Sequence, residues 1–290
     1  MPQDLFESYE ADKAKWISLG EGSYYPDYVN DAVALYLPVF QEFYDLISVA
    51  DSSADLLVRI MNTKDIWLRI QLCRVFKKFV SPQTPVEMLK VKRNTATTIA
   101  EFGGAFRPIN EVRTNLIDRP TPDESLAMVM WEYKDRGKSG YDLSQQAFAL
   151  LRAIDVGYVV TGPERAGKDI LLGDHFDDYP KPDRPVDFMI KSGEAILAIG
   201  LVRFDSDRGG AQEDDRTGQY REVAHELEQY SATNESLATT KLVFVNDGPG
   251  LLLGSMWKDY SHLERQWAGR AKVVTLKMIP SRITHDWLVG

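Results

Sequence analysis

Near residue 140 the apolar residues change their spacing, and that change limits what the chain can fold into. From Asn30 to about Phe79, Leu, Ile, Val and aromatic residues recur at helical intervals, as in ADLLVRIMNTKDIWLRIQLCRVFKKF, where Ile66, Ile70 and Cys73 fall on one stripe. Pro38 is expected to kink or interrupt the first of these helices. PTPDESLAMVMWEYKDRG opens another helix with acidic residues in its first turn, and SGYDLSQQAFALLRAID follows, capped by Asp142 or Ser144. Beyond this point short apolar runs bounded by Gly, Pro or Asp take over: GYVVTG, KDILLGD, VDFMIKSG and EAILAIGLVRF. A helix with Val223, Leu227 and Tyr230 on one face comes next, then the strand KLVFVNDG, the helix SMWKDYSHLERQWAG and the strand KVVTLKMI. The expected organisation is a helical region over 1–138 and a mixed sheet flanked by helices over 139–290, an α/β core.

Charge separates the two parts further. The chain carries a net charge of −9, which disfavours a polyanionic partner on average. Yet between Lys64 and Arg93 eight basic residues face two acidic ones, a local balance of +6. Arg74, Lys77 and Lys78 project together at i, i+3, i+4 of a helix, and Lys90, Lys92 and Arg93 follow. These six are the candidate DNA-binding residues of the helical region. A solvated basic face accounts for the same pattern without a partner.

A single cysteine, Cys73, excludes an intramolecular disulfide framework and reads as a small buried hydrophobe in a reducing compartment. The first residues, MPQDLFESYEADKAKW, lack a secretory leader, and no run approaches the length of a membrane span. A cytoplasmic protein without membrane association is the expectation. His175, His225, His262 and His285 show no zinc spacing. GPERAGKDI lacks the Lys-Ser/Thr ending of a phosphate-binding loop, and no GxSxG supports a serine hydrolase.

Carboxylates gather in the sheet region. Asp187 in RPVDFMI precedes a strand, Asp169 sits similarly in RAGKDILL, and VRFDSDRGGAQEDDRTG crowds charges around a Gly-Gly pair after the longest apolar strand. An Asp at a strand end bonding nearby amides, and acidic residues at a helix start, explain much of this structurally.

The order helix, three strands, helix, strand is that of the PD-(D/E)xK nuclease core. GPERAGKDILL, KPDRPVDFMI, VRFDSDRGGAQEDDRTGQY and LVFVNDGPGLLLGSMWKDY resemble type II restriction endonucleases over residues 139–280, with Asp247, Gly248 and Trp257 matching the Asp-Gly turn and large aromatic that close such cores. The resemblance implies a Mg²⁺-dependent, sequence-specific endonuclease acting on double-stranded DNA as a homodimer. It places Asp187 with Asp169, Asp205 and Glu213 in the catalytic set, Asp187 and Asp205 on the metal, and Arg203, Arg208 and Arg216 on DNA. The chain departs from the pattern where Gly200 and Val202 take the places of the acidic residue and the lysine; the helix after this strand, through Glu213 or Glu222, is an alternative source of the second carboxylate. A nuclease fold that kept DNA binding or an assembly role and lost catalysis is the second expectation. A sugar- or protein-binding module is disfavoured by the basic segment.

Overall fold

A computed structural model describes the chain except for residues 1–3, 21, 23, 135–137, 164–168, 207–210, 235, 236 and 238, together with the side chains of 133, 138–141 and 211–216. Two compact units result: residues 22–136, and residues 1–21 with 137–290. The first 21 residues, grouped by sequence with the helices, thus pack with the sheet instead.

The helical unit contains α1 (Val29–Val49), α2 (Ser53–Asn62), α3 (Ile66–Phe79), α4 (Val86–Leu89), α5 (Thr95–Phe102), α6 (Ile109–Ile117) and α7 (Glu124–Lys134). α1 runs unbroken through Pro38, because Tyr36, Val39, Phe40 and Phe43 bury one face of it and tertiary packing outweighs the lost backbone bond. By length and composition α1 is apolar enough to cross a membrane, contrary to the reading of its sequence; here that face forms the unit's core with α3 and α7. The helix expected from Ala54 onward is two, α2 and α3. Ser52 caps the first, accepting from the Asp55 N–H at 3.0 Å, and Asp65 caps the second, accepting from the Leu68 N–H at 2.7 Å. Of the expected α3 stripe, Cys73 is fully buried, with its thiol pushed up to about 12 by burial, whereas Ile66 is exposed.

The sheet unit continues with α8 (Lys138–Arg152), β1 (Tyr158–Thr161), β2 (Ile170–Leu171), β3 (Pro185–Val186), β4 (Phe188–Ser192), β5 (Ala195–Phe204), α9 (Ala211–Ser231), β6 (Lys241–Asp247), α10 (Met256–Gln266), β7 (Ala271–Val274), α11 (Ile279–Arg282) and α12 (His285–Val289). Asp142 and Ser144, the expected caps, lie inside α8 and not at its start. The main sheet has five strands in the order β1-β4-β5-β6-β7, antiparallel up to β5 and parallel from β5 to β7; β2 and β3 form a separate two-stranded ladder. Every residue of β6 is buried, as a parallel strand covered on both faces requires.

One register detail positions everything that follows. β4 and β5 meet through Gly193 and Glu194, with Ser192 opposite Ala195, but a bulge between Ile190 and Lys191 shifts the ladder so that Phe188 opposes Gly200. Phe188 and Gly200 therefore share the α8 face, where the Phe188 ring meets Phe148 at 5.6 Å. A Cβ at Gly200 would lie 2.2 Å from that ring and 2.4 Å from the Val243 carbonyl, so glycine is a packing requirement there. Leu201, paired with Phe244, faces the other way, toward α9, where Tyr220 stacks on Phe244 at 4.4 Å.

Candidate active site

Asp187 occupies the bend between β3 and β4. Its backbone N–H reaches the Gly200 carbonyl at 3.0 Å, and its Oδ2 accepts from the Val202 N–H at 2.7 Å. The side chain thereby takes the place of a strand carbonyl where β4 begins. It opens into a cleft of about 280 Å³ lined by Asp169 and Pro185 from around the small ladder, by Leu201, Val202 and Arg203 of β5, and by Gln219 and Tyr220 of α9.

Electrostatics in this cleft favour an incoming positive charge beside Asp187. Burial pushes the Asp187 carboxyl above its ordinary value, and neighbouring Asp169 pushes the same way; the Val202 N–H and Arg203 offset only part of this. Arg203 Nη1 is buried and has no hydrogen-bond partner among the described residues. Behind it on the same face, Asn246 is paired in register with Arg203 and accepts from the Tyr220 hydroxyl at 2.7 Å. The α9 helix is thus fixed to the floor of the cleft.

The structure brings together Asp187, Asp169 and Arg203 of the expected set. Asp205 is corrected: it does not line the cleft, and its carboxylate is buried, accepting from the Tyr260 hydroxyl at 3.3 Å. Its backbone carbonyl accepts from Gly250 at 2.7 Å and its N–H donates to the Asp247 carbonyl at 2.7 Å, so it ties β5 to the turn after β6. Glu222, the helix alternative, pairs with Arg184 at 2.9 Å, and that guanidinium also holds Glu226. Glu213, Arg208 and Arg216 lie outside the described side chains.

Asp247 and Gly248 form a structural joint. Asp247 accepts from Gly248, Ser18 and Leu276 backbone N–H groups, and Gly248 has a φ of +115°, where only glycine fits easily. Trp257 is buried against Phe6, ring centroids 4.2 Å apart. In the helical unit Lys78, Lys90, Lys92 and Arg93 are exposed, while Arg74 and Lys77 are half-buried. Arg74 donates to Gln71 Oε1 at 3.0 Å.

Sequence reasoning missed Gln219 altogether, since only its position on α9 one residue before Tyr220 brings it to the cleft. It also set the facing pair of β5 one residue off. By strand alternation Leu201 and Arg203, not Gly200 and Val202, project on the α9 side. Among the described residues no group of three or more His, Cys, Asp or Glu side chains converges. Against protein families, curated proteins and solved structures alike, the chain shows no match.

Proposed function

We propose that the chain is a Mg²⁺-dependent endonuclease of the type II restriction kind, with a PD-(D/E)xK core, cutting double-stranded DNA at a specific sequence as a homodimer. The observation that carries this reading is the single cleft that gathers Asp187, Asp169 and Arg203 beside the antiparallel β4–β5 pair. The order α8, antiparallel β1, β4 and β5, α9 and parallel β6, with the small β2–β3 ladder between β1 and β4, supports this reading.

The donor set fits the ion. Mg²⁺ keeps several waters and takes one or two protein carboxylates together with substrate phosphate, and Asp169 and Asp187 are two hard oxygen donors in one cleft. The raised Asp187 carboxyl is a second point of fit, because a cation beside it offsets the burial that disfavours its charge. When bound, the ion supplies Lewis-acid charge to the scissile phosphate and acidity to a bound water. The chain's own residues do the rest: the Val202 N–H fixes the Asp187 carboxylate in place, and the Arg203 guanidinium, which lines the same cleft, pairs with a phosphate oxygen. The exposed Lys90, Lys92 and Arg93 supply phosphate contacts that carry no sequence information.

Leu201 favours a second reading. It stands on the cleft side two residues before Arg203, where the acidic residue of the pattern would face Asp187, and it ligates nothing. A nuclease fold that binds DNA without cutting it is that reading. Digestion of a sequenced plasmid by the purified full chain separates the two. Discrete fragments with Mg²⁺ and none with EDTA are the expected result, and intact plasmid under every divalent ion tried, with retained DNA binding, transfers the chain to the second class.

A further inference from the structure

The helical unit carries an indole that its core engages only in part. Trp67, on the first turn of α3, lies nearly parallel to the buried Tyr36 ring, 6.3 Å between centroids and 14° between planes, yet keeps 44% of its surface exposed. Neighbouring Ile66 is 64% exposed. Trp131 shows the contrast: Tyr28 stacks with it at 5.9 Å and the Lys134 ammonium sits 3.7 Å from its ring centroid, so that indole is engaged by two partners. Trp67, Arg74 and Lys78 stand at i, i+7 and i+11 of α3, on one stripe, with Lys77 beside them. This stripe belongs to the segment whose local balance is +6 in a chain of −9.

We infer that this face of α3 binds unpaired nucleic acid, with a base stacked on the outer face of Trp67 and the sugar-phosphate strand running along Arg74, Lys77 and Lys78. Charge complementarity selects a polyanion over an apolar partner. The flat indole selects a strand whose base faces are free, because a duplex stacks its bases against each other and hides them. The inference stands apart from the cleft and holds whether or not the chain cuts DNA.

Its test uses the full chain in EDTA, so that metal-dependent cleavage does not intervene, and reads fluorescence anisotropy of a labelled thymidine oligonucleotide and of a labelled duplex. Binding of the duplex is not expected to depend on Trp67, whereas binding of the oligonucleotide is. Trp67→Ala should weaken its binding by about tenfold or more, as loss of one stacked base does, while Trp67→Phe retains most of it. Lys77→Ala with Lys78→Ala should lower the salt slope for the single strand by about 1.4, two phosphate contacts' worth. Wild-type affinity in a Trp67→Ala protein with an unaltered circular dichroism spectrum overturns the inference. So does an equal loss of duplex binding in the Trp67→Ala protein, or a concentration-dependent self-association that Trp67→Ala abolishes without touching DNA binding.

Discussion

Replacing Asp187 with Asn is expected to abolish cleavage while making the protein more stable at neutral pH. Several kcal/mol of transition-state stabilisation rest on a catalytic metal, and each 1.4 kcal/mol is tenfold in rate, so the loss should be about 10³-fold or more. Stability moves the other way for a stated reason. Burial, with help from Asp169, raises the folded carboxyl above its unfolded value near 3.8. A group raised on folding favours the folded state in its protonated form; that contribution is complete below the unfolded value and is lost as pH climbs through the folded one. At neutral pH the ionised Asp187 therefore costs stability, and the neutral amide removes the cost. Asn also keeps an oxygen for the Val202 N–H that Asp187 now accepts at 2.7 Å. Thermal unfolding at pH 7 should show a higher midpoint for the variant, with the gap closing as the pH falls toward 4. A variant less stable at pH 7 and equally active would remove Asp187 from the site.

The second large effect lies far from the chemistry in role. Arg282 is fully buried and donates to Glu264 Oε1 at 2.6 Å, to the Asp4 carbonyl at 2.6 Å and to the Val273 carbonyl. Glu264 in turn accepts from the Phe6 N–H at 3.0 Å and the Val273 N–H at 2.7 Å. One ion pair thus locks Asp4 and Phe6 onto β7 and α10. Arg282→Met leaves Glu264 as a buried, uncompensated charge, and the expected loss is about 3–5 kcal/mol in urea unfolding of the sheet unit. Glu264→Leu added to Arg282→Met should recover part of that loss, since no charge is then stranded. A loss under about 1 kcal/mol for the single variant would mean that the carboxylate finds water or another partner once the guanidinium is gone.

Local patterns were legible where one physical rule decides the outcome. The apolar run from Ala195 to Val202 is the body of β5, and Val223, Leu227 and Tyr230 are the buried face of α9, because period alone separates a covered strand from an amphipathic helix. Asp187 lines the cleft because the bend between β3 and β4 sets it beside β5, where its carboxylate accepts from the Val202 N–H. Three things were not legible. The bulge near Ile190 reverses which β5 side chains face Asp187, and a two-residue turn through Gly193 and Glu194 would by itself set Asp187 opposite Gly200. Asp205 looked like a ligand by its place after a strand, yet the turn beyond β6 folds back on it and Tyr260 takes its carboxylate. Residues 4–20 have scattered apolar positions and no apolar run, and what ties them to the sheet is long-range: Phe6 on Trp257, Ser18 on Asp247, and Thr275 on the Trp16 carbonyl.

Everything proposed for the cleft depends on Asp187 and Asp169 holding one divalent ion between them. Calorimetric titration of Mn²⁺ into the full chain, the Asp187→Asn protein and the Asp169→Asn protein measures this without reference to any DNA site. One ion per chain should bind the wild type, and each substitution should weaken it by about tenfold or more, since each removes one of only two hard protein donors. Identical isotherms for all three proteins would contradict the assignment of the pair as the metal site.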